Sequence, residues 1–145
     1  MNLFKAYRFT TDNFMTFVYQ DPALIDMMSV EQHIIFFSMF LGIEVDEQYV
    51  RRILSTYNLL KVAKIMTIKI SQQHKKMLTF ALSMLGDTRI LILDDPTEGM
   101  DVTSKRLVWE ILRRNKKDRI CIVATQDMKE ARALADRIGF VSHGQ

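Results

Sequence analysis

The spacing of apolar and polar positions changes near Ser71. Before it the signals are mostly helical. Ser29-Val30-Glu31-Gln32 has the form of a capping box, opening a helix that carries Ile34, Ile35, Phe37, Met39 and Phe40. Asp46 is placed to cap a second helix with Val50, Ile53, Leu54 and Tyr57, and 59–70 reads as a connector. From Ser71 onward helix and strand alternate. Ser71 caps a helix in which Met77, Leu78, Ala81, Leu82 and Leu85 recur at helical spacing, with Gly86 placed to end it. A strand is expected over 89–94. After it comes a helix capped by Asp101 with Leu107, Val108, Ile111 and Leu112 inward, and then a buried strand over 120–125. A short helix over 128–136 and a last strand over 138–142 complete the pattern. Such alternation predicts right-handed βαβ crossovers and a parallel sheet, so the fold class is α/β.

One stretch carries most of the chemistry. The run Ile90-Leu91-Ile92-Leu93 ends in Asp94-Asp95, followed by Pro96-Thr97-Glu98-Gly99-Met100-Asp101. An all-apolar run bounded by turn residues reads as a strand buried on both faces. Carboxylates at its carboxyl end sit where open α/β sheets place their ligands. One can hold a hydrated Mg²⁺ on a nucleotide, while its neighbour orients or deprotonates a water. An apolar strand closed by a solvated Asp-Asp-Pro turn is the plainer alternative for the pair alone.

Composition narrows the class. The 145 residues are 48% hydrophobic and 26% charged, enough for one domain with a sizeable core and too apolar for disorder. A net charge of +3 does not demand a polyanionic partner. The clusters Arg51-Arg52, Lys75-Lys76 and Arg113 to Lys117 read as solvated helix faces rather than a nucleic-acid surface. Cys121, the single cysteine, lies in an apolar run and reads as a small core residue. The stretch 34–43 is far short of the ~20 residues of a membrane span, and the first residues lack a signal-peptide pattern, so membrane association is expected only through a partner or further polypeptide.

The order of landmarks resembles an ATP-binding cassette (ABC) transporter nucleotide-binding domain. These are Gln20, then Ile70-Ser71-Gln72-Gln73-His74, Leu91 to Thr97, Gly99-Met100-Asp101 and Ala124-Thr125-Gln126. The segments Asp26 to His33 and Ala133 to Ile138 are similar to the A subfamily, whose members are mostly lipid exporters. The resemblance runs from about Phe14 to the C-terminus. It implies a P-loop NTPase-type parallel sheet, incomplete here, with an ABC-type helical subdomain. Residues 28–86 then form the helical subdomain and signature helix, and 87–145 the Walker B to switch-loop part. Non-transport cassettes with long coiled coils fit poorly, because only a compact segment separates Gln20 from Ser71.

Roles follow position by position from that resemblance. Gln20 matches the Q-loop glutamine, reaching Mg²⁺ and the attacking water and coupling the site to the membrane domain. Asp94 matches the Walker B aspartate that holds Mg²⁺, and Asp101 the D-loop aspartate. Asp95 stands where the family carries a catalytic glutamate, one methylene longer, so weakened hydrolysis is expected. Gln126 replaces the switch histidine and can donate to a γ-phosphate but not shuttle a proton. Ser71, Gln72 and Gln73 occupy the signature, whose glycines normally let backbone N–H groups approach the γ-phosphate bound by the opposite domain. Two glutamines there should obstruct that approach, and Ser71 has a sufficient reason to exist as an N-cap.

No Gly-x-x-x-x-Gly-Lys-Ser/Thr occurs in the sequence. The family's phosphate loop lies upstream of the Q-loop and brings a central strand and a core helix. Without them, residues 90–93 are expected to lose neighbours and the isolated chain to be marginal or aggregation-prone. ATP and Mg²⁺ are the implied cofactors. A second nucleotide-binding domain and transmembrane domains are the implied partners, and the cytoplasmic face of a membrane the implied location, or the cytoplasm for this chain alone. The readings are part of an ATP-hydrolysing transporter engine, a non-hydrolysing accessory cassette supporting a partner domain, or a decayed fragment.

Overall fold

The structure, a computed structural model, describes residues 15–142. In chain order the elements are β1 (Met15–Val18), α1 (Val30–Phe40), α2 (Glu47–Thr56), α3 (Gln72–Ser83), β2 (Ile90–Asp94), α4 (Val102–Asn115), β3 (Ile120–Ala124) and α5 (Met128–Leu134). Short 3₁₀ turns at Leu60–Val62 and Thr67–Lys69 join α2 to α3.

Each long helix starts where a side chain satisfies an orphan amide. The Ser29 hydroxyl accepts the Gln32 N–H while the Gln32 side chain accepts the Ser29 N–H, completing the capping box. Asp46 accepts the Tyr49 N–H at 2.6 Å, and Asp101 the Ser104 N–H at 2.8 Å. The helix α3 stops at Ser83, before Gly86, which does not adopt a left-handed backbone. The 59–70 connector is ordered by its partners: Thr67 is buried and its hydroxyl donates to the Ile25 carbonyl.

The three strands are parallel in the order β1-β2-β3, with Leu93 paired to Val18 on one side and Val123 on the other. Leu91 and Leu93 are fully buried, in one core with Leu78, Phe80 and Leu82 of α3 and Val108 of α4. Residues 77–83 of α3 are all buried, so this helix is enclosed rather than amphipathic over its second half.

Three expectations change. The central strand β2 keeps both neighbours, but Ile90 and Ile92 are only half-buried, so just one of its faces is sealed. The strand over 120–125 is not buried: β3 lies at the sheet's edge, with Ile120 62% and Ile122 52% exposed. No strand forms over 138–142. A strand needs a hydrogen-bonding neighbour. Here residues 137–141 and β3 instead line one open cavity of about 870 Å³. Among the described residues β3 is thus an edge strand, as β1 is on the other side of β2.

Candidate functional site

Parallel pairing brings the carboxyl ends of the strands together. Asp94, the last residue of β2, lies opposite Ala124 at the end of β3. The next N–H, of Asp95, donates to the Ala124 carbonyl at 2.9 Å. This turns Asp95 into the left-handed region at φ 41°, which aspartate tolerates better than most residues. Its Oδ1 then accepts the backbone N–H of Gln126 at 3.2 Å. Asp94, half-buried, has no hydrogen-bond donor on its carboxylate among the described residues.

Gln20, two residues beyond β1, turns its amide to Glu98, donating to Oε2 at 2.6 Å. Lys76 of α3 donates to the Glu98 carbonyl at 2.8 Å and lies 3.7 Å from Oε2. The glutamine is thus joined to the loop after β2 through Glu98, with no direct hydrogen bond to Asp94 or Asp95. Gln126 enters the cluster through its backbone, and the residue itself is exposed.

The start of α3 folds onto the same loop. Gln73 Nε2 donates to Asp101 Oδ2 at 2.5 Å and to the Ser104 hydroxyl at 3.0 Å, and its Oε1 accepts the Asp101 N–H at 3.3 Å. The Ser104 backbone N–H, then the Gln73 amide, hold the Asp101 carboxyl below the usual carboxylate range. Ser71 accepts the His74 N–H and hydrogen-bonds the His74 ring at 2.7 Å, while Gln72 is exposed. Of the two glutamines, Gln73 is therefore used as an internal tie.

Several contributors were not singled out from the sequence. Glu130 is buried within α5, and its Oε1 accepts both the Thr97 hydroxyl at 2.9 Å and the Trp109 indole N–H at 3.0 Å. Lys105 of α4 pairs with Asp127, the N-cap of α5, at 3.0 Å, and that bond holds the Asp127 carboxyl low. Nothing in the sequence around Glu130 marks it as buried, since it sits in a short helix between Lys129 and Arg132 like any solvated glutamate. The basic run at the end of α4 is put to structural use: Arg113 donates to the Ala133 carbonyl and Lys116 pairs with Asp136.

Among the described residues no three His, Cys, Asp or Glu converge on a point that could hold a metal. A cation here would rest on one or two carboxylates and take its remaining ligands from water and a bound phosphate. That arrangement suits Mg²⁺, and the carboxylate of Asp94 fits it. No described helix is long and apolar enough to cross a membrane.

No protein-family model matches the chain. It is similar to human ATP-binding cassette sub-family A member 10, at 37% identity over 122 residues, which is 83% of this chain and 8% of that protein. A mouse ABC-type organic anion transporter, ABCA8A, is 37% identical over 83% of the chain and 8% of its own length. ABC transporter A family member 2 of Arabidopsis thaliana is 36% identical over 87% of the chain and 13% of its own length. The chain thus spans about a tenth of these relatives. Among solved structures, the ATP-binding subunit of an ABC transporter superposes with a TM-score of 0.75 at 20% identity, over 86% of this chain and 53% of that one, which shows the fold. The αβ architecture, the order of landmarks and these relatives agree: the chain belongs to the ATP-binding cassette family and is related to its A-subfamily transporters.

Proposed function

We propose that this chain is the Q-loop to switch-loop part of a transporter's ATP-binding domain, with slow or absent hydrolysis. The observation that carries the reading is the meeting of Asp94, Asp95 and Gln126 at one end of a parallel sheet, with Gln20 tied to the same loop. In this reading Asp94 holds Mg²⁺ through water and Gln20 supplies a further oxygen once released from Glu98. Mg²⁺ held there would supply positive charge against the nucleotide phosphates. Asp95 is the group left to orient the attacking water, and Gln126 donates its side-chain amide to the γ-phosphate.

The same geometry supports slow turnover. General-base work requires hydrogen-bond reach to the water. The Asp95 side chain is short, and one of its oxygens is already occupied by the Gln126 N–H. Gln73, tied to Asp101 and Ser104, and exposed Gln72 stand where the family's glycines admit a phosphate across the domain interface. These features also favour the second reading, an accessory cassette that completes a dimer while its partner domain does the chemistry. Ser71, Gln72, Gln73 and Asp101 would then serve that interface. Substrate choice belongs in either case to the transmembrane domains: lipid is what the subfamily resemblance implies, and organic anion is what the mouse relative's name states.

Calorimetric titration of the polypeptide carrying this chain, with ATP in Mg²⁺ and in EDTA, tests the reading. Binding should depend on Mg²⁺, and Asp94→Asn should remove that dependence. Binding of equal strength in EDTA, or unchanged in Asp94→Asn, would take Asp94 out of the metal role.

A further inference from the structure

We propose that Glu130 is a positioning residue of this site, holding the loop after β2 against α5 so that Asp95 and Gln126 stay together. The inference rests on the reading above for its functional meaning, but its structural content stands on hydrogen bonds alone. Two chain segments, 94–98 and 124–130, are stitched by three successive links. The Asp95 N–H donates to the Ala124 carbonyl, the Gln126 N–H to the Asp95 carboxylate, and the Thr97 hydroxyl to Glu130.

The first two links are exposed or strained. Gln126 is a surface residue, and Asp95 sits at positive φ, so neither residue's own preference holds the turn in place. The third is different. Glu130 and Thr97 are each 1% exposed, and the Trp109 indole shares the same carboxylate oxygen. A carboxylate placed there without donors would carry a heavy desolvation cost, so its two donors are held to it. Thr97 lies two residues beyond Asp95, and Glu130 four beyond Gln126. Fixing the outer pair restricts how far the inner pair can separate, and Trp109 ties both to α4. Lys105–Asp127 adds a second tie between α4 and the start of α5, next to Gln126.

Amide hydrogen exchange of the 145-residue chain at low micromolar concentration, read by mass spectrometry with residue-resolving fragmentation, tests this. Thr97→Val keeps the shape and removes the donor. It should accelerate exchange of the Gln126 amide by about tenfold, while the Leu91 and Leu93 amides change by less than about twofold. Glu130→Gln retains an oxygen acceptor for both donors and should leave Gln126 within about twofold of the parent. If Thr97→Val leaves Gln126 unchanged, or speeds it only in step with Leu91 and Leu93, the positioning role is overturned. Equal acceleration in Glu130→Gln overturns it too. Should Thr97→Val unfold the chain, Trp109→Phe removes the other donor and is judged by the same comparison. The readout needs no nucleotide, so absence of Mg·ATP binding would sink the nucleotide reading without touching this result.

Discussion

The Asp95 carboxylate accepts the backbone N–H of Gln126, joining the residue after β2 to the residue that opens the way into α5. The carboxylate therefore has a structural partner as well as a candidate chemical task, and the two can be separated. Asp95→Asn keeps an oxygen to accept the N–H, so stability should stay within about 1 kcal/mol in urea unfolding. Any ATPase of the complete polypeptide should fall by about 10²-fold or more, because the amide cannot act as a base. Unchanged turnover would remove Asp95 from the water-positioning role.

The contrast between β2 and β3 predicts two different substitution costs. Leu93 is fully buried, so Leu93→Ala should cost about 3 kcal/mol through lost burial and the cavity left behind. Ile122 is 52% exposed on the edge strand, and Ile122→Ala should cost about 1 kcal/mol or less. Chemical denaturation of the two variants checks this, and equal losses would contradict the edge position of β3.

That edge also predicts association. Ile120, Ile122 and the apolar segment holding Ile138, Phe140 and Val141 are all well exposed. Light scattering of the isolated chain should rise with concentration, and Ile122→Lys should suppress the rise by placing a charge on the open edge. Monomeric parent chain at high concentration would contradict the expectation.

His33 predicts acid sensitivity. It is fully buried, its Nε2 accepts the Ile25 N–H at 3.0 Å, and its Nδ1 hydrogen donates to the Ser29 carbonyl at 2.8 Å. Both nitrogens are satisfied only in the neutral ring, and burial holds the pKa below 6.5. The unfolded state then binds the proton first as pH falls. The stabilisation is complete above about pH 6.5 and declines below it, by at most about 1.4 kcal/mol per pH unit. Urea midpoints at about pH 7.5, 6.5 and 5.5 should show the decline, and a flat profile would exclude it.

The Gln73–Asp101 tie can be read by NMR titration. Gln73→Gly removes the second-largest cause of the low Asp101 pKa, so the carboxyl should move upward yet stay below the usual range, because the Ser104 N–H remains. A lowered carboxyl contributes stability above its unfolded pKa that is lost as pH falls through the folded one. The variant should therefore lose less stability in acid than the parent. No movement of Asp101 would mean that the Gln73 contact is not formed in solution.

What the sequence determined by itself was local and periodic. Ser29, Asp46, Ser71 and Asp101 each begin a helix because a short polar side chain can meet an orphan amide only at that point, and this is readable from four neighbouring residues. The apolar run 90–93 determined a core strand, and the order of landmarks determined the family. Burial of β3 and a strand over 138–142 were not decided locally. Val, Ile and Phe spell the same strand whether or not a neighbour is there to pair with it, and only the assembled sheet shows that β3 ends it. The ties of Glu130 to Thr97 and Trp109, and of Gln20 to Glu98, join residues more than twenty positions apart. Hydrogen bonds between polar side chains leave no period in a sequence. They exist because the packing of strands and helices brings distant parts of the chain to one place, and tertiary structure alone does that.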